Sequence, residues 1–299
     1  MPPTTFYRWL ERAESDALAD RVVVPHRRAL PPTAEERGAV CRTALAHAKM
    51  GYKRLTWFMV DLDIAYLRPY QVYRILDDQN LLFRQPRPEP ETLRRPPRPD
   101  HADQVWHVDL MYLYIRPRWY YLVDILDGYS RYLVHWTLNM TMTADTVTMT
   151  LQTALDRLDH RSPGEPRIVH DHGGQFLGRE WRAFIQGAGL TEIKTRVAHP
   201  ESNGLLERLH RTHREEGLLP QDLTDYYHGL DAMTRWANFY NHKRPHSALH
   251  YLRPWDYYRG DPQARLSTRE VKLTEAARAR ALHWETDVSA REQENPSLV

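Results

Sequence analysis

Along the first third of the chain apolar residues recur every three or four positions, and residues 35 to 83 read as helical. In "TAEERGAVCRTALAHAK" Thr33 stands three residues before Glu36, a capping-box spacing, and Val40, Ala44 and Ala48 follow at intervals of four. "KRLTWFMVDL" (53 to 62) and "LRPYQVYRILDDQNLL" (67 to 82) predict a second and a third helix, the third with Pro69 in its first turn. Three short helices with a polar, aromatic third one suit a helix-turn-helix unit, and equally a plain helical bundle. From residue 104 the period shortens. "QVWHVDLMYLYI" and "WYYLVDILDGYSRYLVHWTL" are dense in aromatic and β-branched residues, with Asp127-Gly128 as a hairpin signal between runs. Strands are predicted near 104–115, 119–126 and 131–138, then a helix near 144–159 on Val147, Leu151, Ala154, Leu155 and Leu158. "RIVH" predicts a short buried strand, "QFLGREWRAFIQGAG" a helix ended by glycine, and "TEIKT" another strand. Helices follow near 203–217 and 225–241, and "REVKLTEAARARALHWE" (269–285) predicts a polar amphipathic helix suited to DNA or a second subunit. The order is that of an α/β mixed sheet with helices on its faces.

Composition adds boundaries and exclusions. Residues 84–99 hold six prolines and five arginines against two glutamates, which excludes a helix or a central strand. This reads as an extended linker of net charge +3 (5 − 2), either a solvated spacer or a segment lying along phosphate through Arg94, Arg95 and Arg98. The expected organisation is thus a short N-terminal segment (1–29), a helix-turn-helix-like domain (30–83), a linker (84–100), a mixed-sheet α/β core (101–220) and a helical C-terminal extension (221–299). Of 299 residues 41% are hydrophobic, enough for a sizeable core. One cysteine, Cys41, excludes an internal disulfide and any thiolate zinc spacing, and fits a reducing cytoplasm. No apolar run approaches the ~18 residues of a membrane span, and acids come too early at the start for a signal peptide. The net charge of +2 conceals 41 basic residues against 39 acidic ones, compatible with an ordinary surface or with basic stripes that bind phosphate.

Candidate chemistry sits on three acids. Asp109 lies inside an apolar strand, where a charge is costly unless paired or bound to metal. Asp171 ends the strand in "IVHDHGGQF"; by itself this reads as a loop, since a turn also favours Asp and Gly. Glu207 lies on the helix in "ESNGLLERLHRTHREEG". The three converge if the first and fourth strands are neighbours and the helix packs across them. Such a carboxylate cluster suits a hard cation such as Mg²⁺ better than zinc. Glu207, His210, Arg211 and Arg214 share a helical face at spacings of 3, 4 and 7, with Leu205 and Leu209 turned to the core. Arg211 then reaches phosphate or pairs with Glu207 or Glu215, and Arg214 reaches phosphate or stays solvated. His172 and Gln175 follow Asp171 and suit contact with DNA or bound water; Asn203, with Gly204, reads best as a helix-entry turn near the site and is a further candidate DNA contact. His170 and His199 lack companion cysteines and suit ordinary polar partners. Asp124 and Asp127 read as structural, Asp127 in the turn and Asp124 in an ion pair with Arg131.

Glu207 follows Asp171 with 35 residues between (207 − 171 − 1). With "WHVD" (106–109), "DGYSR" (127–131), "DHGGQF" (171–176), "HPESNGLLER" (199–208), "YNHKRPHSAL" (240–249) and "LRPWDYYRG" (252–260), that spacing resembles DDE-type insertion-sequence transposases and retroviral-type integrase cores. The resemblance covers roughly residues 30–260 and implies a ribonuclease-H-like fold with two Mg²⁺ (or Mn²⁺) ions. Asp109 would bridge both ions, Asp171 would hold one and Glu207 the other. The implied activity is metal-dependent 3′-end cleavage and strand transfer during DNA integration and transposition. The alternatives are a catalytically silent, domesticated or decayed DNA-binding regulator, and a metal-dependent ribonuclease of the same fold. Implied partners are double-stranded DNA (transposon ends and target), further copies of the chain, and an upstream-frame DNA-binding polypeptide, in a bacterial cytoplasm near the nucleoid. "TTFYRWL" resembles the tail of a helix-turn-helix, so the chain is expected to be a second reading frame or a truncated copy. Leu110 after the first acid and His170 before the second depart from the usual residues without removing a ligand.

Overall fold

The computed structural model describes Tyr7, Trp9–Leu10, Arg12–Ala13, Leu30–Leu82, Pro99–Asp159, Gly164–Asp171, Gly173–Lys194, Gly204–Leu218 and Asp222–Glu294, with the side chains of Lys194 and of residues beyond Thr286 left aside. Most of the N-terminal segment and nearly all of the Pro/Arg linker, including Arg94, Arg95 and Arg98, lie outside the described residues. Two compact units emerge, one of residues 32–282 and one of the two chain ends, 1–31 with 283–299. In the latter, Trp284 Nε1 donates to the Pro31 carbonyl at 2.9 Å. Among the described residues no helix is long and apolar enough to cross a membrane.

The large unit opens with α1 (Ala34–Ala46), α2 (Tyr52–Asp61) and α3 (Pro69–Asp78). Thr33 and Glu36 form the capping box anticipated for α1, each side chain taking the other's amide at 3.2 and 2.9 Å. Val40, Leu55, Met59, Leu67, Val72 and Ile75 build the small core of the three helices.

The sheet follows: β1 (Val105–Ile115), β2 (Arg118–Asp127), β3 (Leu133–Asn139), β4 (Gly164–His170) and β5 (Leu190–Lys194). Its order is β3-β2-β1-β4-β5, with β1 to β3 antiparallel and β4 and β5 parallel to β1, the ribonuclease-H-like arrangement. Alternation gives the sheet two apolar faces. Trp106, Val108, Val123, Ile125 and Ile168 pack beneath α4 (Ala144–Leu155) and α5 (Arg179–Gly187), with Phe176 and Trp181 fully buried. Met111, Leu113, Ile115, Leu122 and Leu138 pack beneath α6 (Gly204–Thr212), the π-helical turn His213–Leu218 and α7 (Tyr226–His242). Each face covers roughly a dozen large side chains, at about 1.5–3 kcal/mol apiece.

The helix expected across 175–189 is a 3₁₀ turn, Gly174–Phe176, followed by α5, because the chain re-enters the helix at Gly178. The C-terminal helix is longer than expected: α9 runs Pro262–Glu294, after the short α8 (Pro254–Tyr258).

The downstream motifs act as fasteners. Asn241 bridges the Leu133 backbone, accepting its N–H at 2.9 Å and donating to its carbonyl at 3.0 Å. Buried Arg244 clamps Glu216 at 2.6 and 2.7 Å, and Arg54 of α2 reaches the same carboxylate at 3.0 Å. Burial works to raise the Glu216 carboxyl, but the Arg244 and Arg54 cations overcome it and hold it below the usual range. Arg269 of α9 pairs with Asp61 at 2.7 Å. Tyr258 donates to Asp103 at 2.9 Å and stacks on Tyr132 at 4.2 Å.

Candidate active site

β1 and β4 run parallel with Val105 opposite Arg167, Trp106 opposite Ile168 and His107 opposite Val169, a constant offset of 62. Carried two residues on, the offset sets Asp171 (109 + 62) level with Asp109, one residue past the end of β4. The strand stops there because Asp171 folds its carboxylate back onto the turn, accepting the Gly173 N–H at 2.8 Å. Asp109 stays in the strand, only 9% exposed, and accepts the Leu110 N–H at 2.9 Å. Its side chain shares a face with Met111 and Leu113, beneath α6.

On α6 Leu206 and Leu209 are buried and Glu207, Arg208 and Arg211 exposed, as is Arg214 beyond it. Glu207, Arg211 and Arg214 therefore share the outer face at spacings of 4 and 7. Leu205 packs half-buried against the core as expected, beside the fully buried Leu206. The expectation for His210 needs correction: it does not share the exposed face of Glu207, Arg211 and Arg214, but is buried, with Nδ1 3.9 Å from Asp109 Oδ2 and Nε2 3.4 Å from Asp124 Oδ2. The cause is Asp124, fully buried directly across the strands from Asp109, a pair of like charges that needs a cation. Asp124 does not pair with Arg131 as expected; His213 Nε2 lies 3.0 Å from its Oδ2. Neither Asp124 oxygen carries an aligned hydrogen bond among the described residues, so the cluster is held by charge and close contact. Burial works to raise the Asp124 carboxyl, yet His213 and His210 overcome it and hold it far below the carboxylate range. Burial lowers His210, and Asp124 followed by Asp109 more than restores it, leaving the imidazole above its ordinary value.

His170 is buried, with Nε2 2.7 Å from Glu192, which also accepts from Trp181 Nε1 at 2.9 Å. These are ordinary polar partners. Asp127 serves the turn, accepting the Ser130 N–H at 2.7 Å and the Asp103 N–H at 2.8 Å. Gln175 is half-buried, its amide over Gly173. His172, His199 and Asn203 lie outside the described residues. The exposed side of α3 carries Tyr70, Tyr73, Arg74, Asp77 and Asp78, one cation against two acids, and offers phosphate little attraction.

The structure thus brings Asp109 and Asp171 to one level of neighbouring strands and sets Glu207 on the outer face of the helix above. Among the described residues no three His, Cys, Asp or Glu side chains are gathered closely enough to hold an ion. The donor set itself, carboxylate oxygens without a thiolate, fits a hard divalent cation. Sequence reasoning missed the Asp124–His213 contact, although a charge inside "LVDILD" was a signal of the same kind as Asp109.

An integrase core domain model matches residues 99–200, and a second integrase core domain model matches residues 188–254. An uncharacterized protein of insertion element IS136 from Agrobacterium fabrum is 30% identical over 142 residues, 46% of this chain and 73% of the relative. A 31.7 kDa protein of insertion element IS407 from Burkholderia multivorans is 27% identical over 244 residues, 78% of this chain and 85% of the relative. The transposase for insertion sequence element IS904 from Lactococcus lactis is 26% identical over 157 residues, 52% of this chain and 61% of the relative. Among solved structures, the HTLV-2 integrase catalytic core in complex with magnesium is 15% identical, covering 53% of this chain and 98% of that one, with a TM-score of 0.43.

Proposed function

The chain belongs to the integrase-core family of insertion-sequence transposases, and on that premise we propose that it cleaves DNA at transposon 3′ ends and joins them to target DNA through Asp109, Asp171 and Glu207. The observation that carries this reading is the register that sets Asp171 level with Asp109 on the strand beside it, under the helix that bears Glu207. The three carboxylates would hold Mg²⁺ or Mn²⁺, two ions per site, whose chemistry is to activate an attacking oxygen and stabilise the leaving 3′ oxygen. Hydrolysis at the end and transfer to the target are both displacements at phosphorus by an oxygen, so one site serves both steps. Asp109 supplies a buried carboxylate on a rigid strand, and Asp171 one tied to its turn by the Gly173 amide. Glu207 comes from the exposed face of α6, where Arg211 and Arg214 flank it and take phosphate oxygens. Synapsis of two ends calls for more than one copy of the chain, and an upstream-frame DNA-binding polypeptide supplies end recognition.

A strand-transfer assay tests the reading. Purified protein, labelled terminal-repeat DNA and plasmid target are incubated with Mg²⁺ or EDTA, beside Asp109→Asn, Asp171→Asn and Glu207→Gln. Metal-dependent joining abolished by each substitution is expected. Binding without cleavage or joining, with the upstream polypeptide supplied, would leave a regulator in place of an enzyme.

A further inference from the structure

Asp124 and Asp109 face each other across the antiparallel pair β1–β2, on the side of the sheet covered by α6. Directly opposed residues of such a pair lie roughly 4.5–5.5 Å apart at Cα, so one side chain entering from the helix above can meet both carboxylates. His210 of α6 intervenes, 3.9 Å from Asp109 and 3.4 Å from Asp124. His213, three residues on, reaches the same Asp124 oxygen, Oδ2, at 3.0 Å and packs its ring on Trp236 of α7 at 4.2 Å. At His213 the helix widens into the π-turn, a local irregularity frequent at functional sites.

We propose that Asp124, His210 and His213 form a seat that fixes the height and rotation of the Glu207 helix over Asp109, making them positioning residues for the divalent-cation site. This rests on the reading of Asp109, Asp171 and Glu207 as ligands. Leu206 and Leu209 bury the helix but are non-directional, and apolar contacts alone permit it to slide or turn. The seat holds the helix at two points, because a slide or a turn would lengthen the 3.4 and 3.0 Å contacts of His210 and His213 with Asp124. Glu207 precedes His210 by three residues and His213 by six, so about 4.5 and 9 Å of helix rise separate the carboxylate from its two anchors. An error of about 1 Å in such a position is worth roughly 10²-fold in rate.

The test uses the full chain with the near-isosteric Asp124→Asn, His213→Phe, which keeps the ring on Trp236, the packing control Leu209→Ala and the ligand control Asp109→Asn. Three quantities are read: Mn²⁺ binding by calorimetry, amide exchange across residues 204–213, and kcat and KM for DNA joining. Asp124→Asn and His213→Phe are expected to weaken Mn²⁺ binding about 10–100-fold, the range seen when partners of ligand side chains are lost. Exchange across 204–213 should quicken, and kcat should fall about 10²-fold with KM for DNA little changed. Retention of Mn²⁺ affinity, exchange and kcat in both variants would overturn the seat. So would an equal effect from Leu209→Ala, which would reduce it to packing, or unfolding of Asp124→Asn beside a normal His213→Phe. If Asp109→Asn binds Mn²⁺ and joins DNA like wild type, it is the ligand reading that fails.

Discussion

Replacing Gly217 by alanine perturbs the π-turn where it presses on α7. A Cβ at this position would stand 2.1 Å from Cδ1 and 2.3 Å from Nε1 of Trp236. Ordinary carbon contacts begin near about 3.5 Å, so the indole must move by more than about 1 Å. It has little room: Trp236 is 5% exposed, stacked on Tyr240 at 4.8 Å and packed on His213 at 4.2 Å. Overpacking of this kind costs about 1–3 kcal/mol, against which alanine returns up to about 1 kcal/mol of backbone entropy. Gly217 is not in the left-handed region, so no backbone strain is added. The net expectation is a loss of about 1–2 kcal/mol, or about 2–8 °C in Tm for a unit of this size. Gly229→Ala is the matched control. There the Cβ meets the terminal methyl of Ile115 at 2.4 Å, with other atoms at 3.4 Å and beyond, and one methyl can rotate away. Helix propensity then offsets the cost to within about 0.5 kcal/mol. Scanning calorimetry and urea midpoints compare the two. A Gly217→Ala protein as stable as wild type would refute the close approach of the π-turn to Trp236. Combining it with Trp236→Phe should yield a coupling above about 0.5 kcal/mol, because the two changes share one contact.

Three further outcomes follow from buried or basic groups. His107 is buried and pushed down to about 4, first by burial and then by Arg131. It is therefore neutral in the fold while an unfolded histidine titrates near 6.5. Stability is full above about pH 6.5 and declines toward pH 4, by about 3 kcal/mol for a shift of about 2.5 units (6.5 − 4). His107→Phe should flatten that part of the unfolding profile measured at pH 7 and 4.5. Arg244→Met leaves the half-buried Glu216 with Arg54 alone and should cost about 3 kcal/mol in a urea titration, whereas an unchanged midpoint would deny the clamp a role. Arg211→Gln with Arg214→Gln should weaken DNA binding and make the slope of log K against log salt shallower by about 1.8, at about 0.9 per phosphate contact; an unchanged slope would move DNA off this face.

Periodicity was enough for most of the sheet. Both faces of β1 to β3 are sandwiched by helices, and aromatic, β-branched runs of this kind are hard to satisfy as anything but strands. Periodicity failed where the backbone changes pitch without changing composition. "QFLGREWRAFIQGAG" is apolar at helical spacing on both sides of Gly178, yet the chain breaks there between a 3₁₀ turn and α5. Nothing in "LHRTHREEG" marks the transition to a π-turn at His213, and the groups that meet the turn, Trp236 against Gly217 and Arg244 on Glu216, lie elsewhere in the chain. Such tertiary contacts join residues far apart in the chain.

The candidate acids and their surroundings differ in legibility for a related reason. Asp109, Asp171 and Glu207 stand out because spacing along the chain is a one-dimensional quantity, and a charge in an apolar strand announces a demand for a partner. Asp124 in "LVDILD" announced the same demand, and Arg131, seven residues on, is the first cation that follows it in sequence. The fold answers differently. The register that places residue 124 across from residue 109, and the docking of α6 over both, bring His210 and His213 to it from more than eighty residues away. Arg131 is meanwhile spent on the turn, donating to the Gly128 carbonyl. A buried charge can thus be found from sequence, but its partner cannot be found until strand register is known. That same register also makes Asp124 more than a structural acid: a residue opposite Asp109 and beneath the Glu207 helix cannot be moved without moving one of them.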